Sequence, residues 1–128
     1  MGQRLELDLP ADEAAIVSAR RAVDQVEALE RHPDARFAIR VLVSELCTNA
    51  IKHGGRGGGR IRLALEVKRD RVRVEIADRG RGFDPDVVTM PGAEATSGRG
   101  LALLDRLSER WGVERGGGSR VWFELPLG

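Results

Sequence analysis

Two segments in the middle of the chain alternate strictly between apolar and polar residues. In the first, every second residue from Ile61 to Val67 is apolar, and in the second the same holds from Val72 to Ile76. Side chains of a β-strand point alternately to opposite faces, so each segment predicts a strand with one apolar face. Residues 69–71 between them are few enough for a hairpin, which makes the two strands antiparallel. A sheet with one apolar face must be covered by helices on that face.

The remaining segments supply those helices and further strands. Helical spacing of apolar residues predicts three helices, over residues 12–31, 34–53 and 99–110. Alternation predicts three further strands, over residues 4–9, 111–115 and 121–125. Asp12 can cap the first helix, and Phe37 opens the broad apolar face of the second. We therefore expect an α+β fold, a two-layer sandwich in which three helices cover one face of a mostly antiparallel mixed sheet.

The composition narrows the classes of function. A chain of 128 residues fits one domain, over residues 1–128. Lys and Arg (21) balance Asp and Glu (20) to a charge of +1, and aromatics are 4%, so neither nucleic acid nor a membrane is an expected partner. No apolar run approaches the ~18 residues that cross a bilayer, and no signal peptide is visible, which predicts a cytoplasmic protein. The single cysteine, Cys47, is expected to be a small buried hydrophobe.

A polar stripe interrupts the apolar pattern of the second helix over residues 44–53 (SELCTNAIKH). Glu45, Asn49 and His53 follow one another at four-residue intervals, and Lys52 lies three residues beyond Asn49. Residues three and four apart share a helix face, so a carboxylate, an amide, an ammonium and an imidazole project together. An ordinary solvated helix face would show the same spacing, although asparagine is a poor former of helix interiors. We expect His53 to be a helix-end residue rather than a catalyst.

A second motif lies directly after the second alternating segment. Asp78 stands where that strand is expected to end, and Gly80 and Gly82 come shortly after it. Glycine allows the backbone to turn sharply and to approach a flat ligand. A carboxylate at a strand end can accept a hydrogen bond from an exocyclic amine such as that of adenine. Because Asp-x-Gly sequences are also abundant in surface turns, the motif by itself leaves both interpretations open.

The third motif opens the predicted third helix at residues 96–104 (TSGRGLALL). Gly98 and Gly100 at its start leave free backbone N–H groups and the positive end of the helix dipole facing the preceding loop. Such a helix end favours a phosphate group, and Arg99 could add positive charge. No Gly-x-Gly-x-x-Gly follows a strand here, and no Gly-x-x-x-x-Gly-Lys-Ser/Thr occurs, which excludes the dinucleotide fingerprint and the P-loop.

In this order, the three motifs resemble the N, G1 and G2 boxes of the GHKL ATPase superfamily, whose members share the Bergerat ATP-binding fold. The boxes here are Glu-x-x-x-Asn-Ala at residues 45–50, Asp-x-Gly-x-Gly at 78–82 and Gly-x-Gly-Leu at 98–101. The resemblance covers about residues 34–128 and is greatest to the bacterial anti-sigma-factor serine/threonine-protein kinases, which have a histidine kinase-like ATPase domain. The expected ATP lid, about residues 86–98, is short and departs from the pattern of that family.

The resemblance implies a role for each matched residue. Glu45 would act as general base toward the attacking hydroxyl, Asn49 would ligate Mg²⁺, and Asp78 would bind the adenine amine. Lys52 and Arg99 would neutralise phosphate charge. The further ATP-binding positions that the resemblance implies are Gly80, Gly82, Thr96, Ser97, Gly98, Gly100 and Leu101.

The function implied by the resemblance is that of an ATP-dependent protein serine/threonine kinase that is also an anti-sigma factor. Its partners would be a sigma factor and an anti-anti-sigma protein of the STAS type, and a homodimer through the first strand and helix is a further option by analogy. Two alternatives stay open. One is a catalytically silent nucleotide-binding interaction module. The other is a detached catalytic domain of a sensor histidine kinase, although such domains usually carry Asn where Glu45 stands.

Overall fold

The computed structural model describes residues 3–54, 59–78, 102–115 and 119–127. The helices in these ranges are α1 (Glu13–Asp24), α2 (Pro33–Gly54) and α3 (residues 102–107), with a 3₁₀ turn at Glu27–Leu29. The strands are β1 (Gln3–Pro10), β2 (Arg60–Lys68), β3 (Arg71–Asp78), β4 (Arg110–Arg115) and β5 (Ser119–Pro126). Among the described residues, no helix is both long and apolar enough to span a bilayer.

The strands form one five-stranded sheet in the order β1-β2-β3-β5-β4, and every neighbouring pair is antiparallel. The predicted hairpin between β2 and β3 is confirmed, with Lys68 paired to Arg71. Its turn consists of two residues, and Arg69 adopts a φ of 53°. Two-residue hairpin turns require positive φ because their twist must match that of the strands. Arg69 therefore has a left-handed backbone conformation although it is not a glycine, and this conformation closes the turn.

The apolar core lies between the helices and one face of the sheet, as the alternation predicts. Burial alternates residue by residue along β2 and β3, so the two strands share one buried face. The buried residues of the inner strands are Ile61, Leu63, Leu65, Val67, Val72, Val74, Ile76, Val121, Phe123 and Leu125. The expected α+β two-layer sandwich is therefore confirmed. In the edge strand β1 the alternate leucines are only half-buried, because no further strand shields them on the outer side.

The opposite face of the sheet is charged. Arg73 Nη1 lies 3.1 Å from Glu124 Oε2, and Arg62 Nη2 lies 2.7 Å from Glu6 Oε1. The hydrogen bonds that Arg4 and Arg62 donate hold the pKa of Glu6 below its ordinary value. The Arg62–Glu6 pair is exposed and the Arg73–Glu124 pair is partly buried, so this face presents charged groups rather than an apolar surface for a second layer of helices.

Two predicted helices end earlier than their apolar spacing suggests. Helix α1 stops at Asp24 rather than near residue 31, because Val26 is extended, with φ −77° and ψ 108°. The chain then makes the 3₁₀ turn, in which positions three apart also share a face, so Val26 and Leu29 stay buried. Helix α3 is helical only to residue 107, and Arg110 already belongs to β4.

Two details of the helix starts also differ from expectation. Asp12 does occupy the N-cap of α1, but its side chain makes no capping hydrogen bond, and its backbone carbonyl accepts from Ala15 N–H at 3.0 Å. The expectation that Phe37 belongs to the apolar face of α2 is wrong, since its side chain is 65% exposed. The buried face of α2 is centred on Leu42 and Leu46, and Phe37 lies on the other side of the helix.

Candidate functional site

Helix α2 carries the first two candidate residues one turn apart. Asn49 is buried, with 5% of its surface exposed, and Glu45 is half-buried. The helix packs against β3, so its inner surface lies over the middle of the sheet. Because they are four residues apart, Glu45 and Asn49 lie on the same side of α2. Together they form a short polar segment that extends from the edge of the helix layer into the interior.

Asp78 is the last residue of β3 and lies 9% exposed. Burial alternates along the strand, so Asp78 shares the helix-facing side with Val74 and Ile76. It pairs with Ile61 on one neighbouring strand and with Ser119 on the other. The carboxylate therefore ends a strand in the middle of the sheet, on the face that α2 covers.

Asn49 and Asp78 are the two buried polar or charged residues within the described ranges. Burial of an amide or a carboxylate costs free energy unless it is hydrogen-bonded or paired. Each of the two side chains has an interaction partner, as does Glu45. Both lie at positions that the sequence motifs mark, and their burial shows that neither belongs to a solvated surface.

A divalent cation at this site could be held in part by oxygen atoms of a bound ligand. Within the described part of the chain, no group of three or more His, Cys, Asp or Glu residues could hold a metal ion. Mg²⁺ usually keeps several waters and binds substrate phosphates with one or two protein oxygens. The amide oxygen of Asn49 is a ligand of the right kind for such an ion.

Cys47 lies between the two candidate residues of α2 and is buried, as predicted. Burial raises the pKa of its thiol to about 11, because a thiolate would be desolvated there. At neutral pH the sulfur therefore stays protonated. Cys47 is thus a small buried residue whose protonated thiol is a poor nucleophile.

Two hydroxyl groups of α2 form hydrogen bonds that the motif does not reveal. Ser44 Oγ donates to the carbonyl oxygen of Arg40 at 2.8 Å, and Thr48 Oγ1 donates to that of Ser44 at 2.8 Å. Each hydroxyl immediately precedes a candidate residue in the chain. The position of each hydroxyl inside a helix could have predicted both bonds, since Ser and Thr often donate to the backbone carbonyl of the preceding turn.

Several predicted site residues lie outside the described residues. Gly80, Gly82 and the segment 96–101, which contains Thr96, Ser97, Gly98, Arg99, Gly100 and Leu101, are among them. The backbone of Lys52 and His53 belongs to α2, but their side chains lie outside the described part. The structure thus places Glu45, Asn49 and Asp78 on two packed elements, and the other predicted positions remain sequence-based predictions.

Residues 9–125 match the family model of the histidine kinase-like ATPase domain. An uncharacterized protein of Streptomyces coelicolor is 37% identical over 87 residues, which are 67% of this chain and 82% of that protein. The serine-protein kinase RsbW of Halalkalibacterium halodurans is 35% identical over 48 residues, which are 38% of this chain. That alignment spans 30% of the length of RsbW.

Solved structures with similar folds include domains from two kinds of protein. The RsbU and RsbW domains of a Mycobacterium tuberculosis protein superpose with a TM-score of 0.69 at 21% identity, over 96% of this chain and 32% of that one. A blue-light-activated histidine kinase of Erythrobacter litoralis superposes with a TM-score of 0.58 at 27% identity, over 94% of this chain and 42% of that one. The first likeness is one of fold.

Proposed function

The chain belongs to the histidine kinase-like ATPase domain family, and from that premise we propose that it is an anti-sigma factor that phosphorylates a serine of an anti-anti-sigma partner. The substrate of the reaction is ATP with Mg²⁺, and the partner is a STAS-type protein. The observation that carries the proposal is the pair of buried polar residues, Asn49 and Asp78, on the facing surfaces of α2 and β3. A single domain over residues 1–128 and a cytoplasmic location belong to the same proposal.

Asp78 is the residue that we assign to the adenine base. Its carboxylate ends a central strand on the face of the sheet that α2 covers. A carboxylate accepts hydrogen bonds only, so it binds the exocyclic amine of adenine and repels the carbonyl oxygen that guanine carries there. The position thus supports a preference for ATP over GTP.

Glu45 and Asn49 are assigned to the phosphate end of the nucleotide. Asn49 would hold Mg²⁺ through its amide oxygen, and the ion would neutralise charge on the transferred phosphoryl group. Glu45 is half-buried one helical turn earlier, where its carboxylate can take the proton of an attacking serine hydroxyl. The similarity to the RsbW segment supports a protein serine as acceptor.

The test is transfer of radiolabelled γ-phosphate from Mg-ATP to a purified STAS-type candidate partner. We expect Glu45→Gln to lower kcat by roughly 10²-fold to 10⁴-fold, the usual contribution of a general base, while ATP affinity stays close to that of the wild type. Glu13→Gln is the matched control, since Glu13 is an exposed helical glutamate on α1. Equal transfer rates for the wild type and Glu45→Gln would exclude the assigned role.

The histidine-kinase alternative rests on the likeness to the Erythrobacter litoralis kinase. The same assay separates the two functions, because phosphoserine survives acid and phosphohistidine does not. An acid-labile label on a histidine-containing partner would favour a histidine-kinase-type catalytic domain. The silent-module alternative predicts another result, namely ATP binding by calorimetry with no label on any protein.

A further inference from the structure

Phe37, near the start of α2, is exposed to solvent. Among the described residues two large apolar side chains are exposed, Val17 at 45% and Phe37 at 65%. Single exposed apolar residues are common on protein surfaces and need no explanation by themselves. Phe37 differs from Val17 because further uncharged residues lie beyond it on the same face of its helix.

Four residues form a continuous uncharged strip on α2, which we call the α2 strip: Phe37, Val41, Ser44 and Thr48. They are spaced four, three and four residues apart, so they lie along one side of the helix. Val41, Ser44 and Thr48 are half-buried. Because the hydroxyl protons of Ser44 and Thr48 are donated to carbonyl oxygens of the helix itself, the strip offers mainly carbon surface to a neighbour.

Charged residues border the α2 strip on both sides. On one side Arg40 Nε lies 3.3 Å from Asp24 Oδ1 of α1. On the other side stands Glu45, four residues after Val41 and therefore adjacent to the strip. The strip is therefore an uncharged surface between two charged borders, in a chain with 32% charged residues. It also ends beside the candidate general base.

We propose that the α2 strip is the docking surface for the protein that presents its serine hydroxyl to Glu45, an inference that rests on the proposed kinase function. Phe37 precedes Glu45 by eight residues, which is about 12 Å along the helix axis. The nucleotide is assigned to the buried side of α2, at Asn49 and Asp78. A polypeptide can cover the exposed side and also reach Glu45 if its apolar side chain for Phe37 lies about four extended residues, or about two helical turns, away from its acceptor serine.

Steady-state transfer to the purified STAS-type protein tests this surface. We expect Phe37→Ser to raise KM for that protein by about tenfold, the effect of removing an aromatic anchor from an interface. The value of kcat and the affinity for ATP should stay close to those of the wild type, since Phe37 touches no reacting atom. Phe37→Leu, which keeps an apolar side chain, should restore most of the affinity.

Val17→Ser is the matched control, because Val17 is the other exposed large apolar side chain among the described residues and lies on α1, outside the strip. Its KM should equal that of the wild type. If the wild-type chain transfers phosphate and Phe37→Ser shows an unchanged KM, the docking surface is refuted while the kinase function stands. If the wild type transfers nothing to that protein, the proposed function and the docking surface both fail.

Discussion

Asn49 and Asp78 carry polar side chains of a kind that folded proteins mostly keep at the surface. Both are buried, at 5% and 9% exposure, in a layer that is otherwise apolar. Replacing such groups with apolar residues of similar volume is often neutral or stabilising. Packing alone therefore does not account for two buried polar side chains at this place, whereas the proposed nucleotide site would.

At the same scale, the thiol of Cys47 makes the free energy of unfolding depend on pH. Its thiol has a pKa of about 11 in the folded protein, against an ordinary 9.0. As the pH rises above the ordinary value, the unfolded chain releases the proton while the folded chain keeps it, so the free energy of unfolding falls. The full difference corresponds to about 3 kcal/mol, spread over the interval between the two pKa values.

The measurement is urea unfolding of the wild type and of Cys47→Ala at a series of alkaline pH values. We expect the stability of the wild type to fall more steeply than that of Cys47→Ala, which has no thiol to ionise. Below the ordinary pKa both states hold the proton, so the two slopes should agree there. Parallel curves across the whole range would show that the sulfur is not desolvated in solution.

At the scale of elements, the pairing of β4 with β5 places a glycine directly against a tryptophan ring. Gly112 pairs with Trp122 across the two strands. A Cβ on Gly112 would come within 2.7 Å of Trp122 Nε1, so the indole ring packs directly on the glycine backbone. The guanidinium of Arg73 covers the ring from β3, with its carbon 4.4 Å from the ring centroid. The three strands are thus joined on the open face of the sheet by one stacked side chain.

We expect Gly112→Ala to destabilise the protein by about 1–3 kcal/mol, because the indole ring must leave its place and loses its stacking on Arg73. Chemical unfolding followed by tryptophan fluorescence measures this loss. The control is the same substitution in a Trp122→Ala background, where no ring stands in the way. If Gly112→Ala costs as much in that background, the cost does not come from the ring contact.

At the scale of the whole molecule, the candidate site joins parts of the chain that are distant in sequence. Asn49 belongs to α2, while Asp78 lies beyond the β2–β3 hairpin. A ligand held by both would bind only when helix and sheet are packed together. Ligand binding and folding are then linked by mass action, since the unfolded chain has no such site.

Mg-ATP should accordingly stabilise the fold, by about 2.7 kcal/mol when its concentration is 100 times the dissociation constant. Thermal unfolding with and without nucleotide measures the shift in Tm. We expect Asp78→Asn to abolish most of the shift, whereas Asp70→Asn, at an exposed aspartate of the hairpin turn, should retain it. A shift that is equal in both variants would remove Asp78 from the adenine site.

The sequence by itself determined which residues form the apolar face of each strand, because the two-residue period of a β-strand is set by the backbone. Burial alternates along β2 and β3 at the predicted positions, and the two-layer sandwich results from that. The order of the motifs was also sufficient to indicate the family, since it depends on residue types and spacing alone. Glu45, Asn49 and Asp78 could be selected in the same way.

Only the tertiary structure decided the remaining features, because they depend on contacts between distant segments. Local spacing allowed α1 to continue to residue 31, but the chain must turn at Val26 to bring α2 over the sheet. The place of β5 between β3 and β4 is likewise a matter of long-range pairing. Helical period alone could not orient Phe37 either, since the side of α2 that faces solvent is fixed by the elements against which α2 packs. Burial of Asn49 and Asp78, on which the proposed function depends, is decided by that same packing.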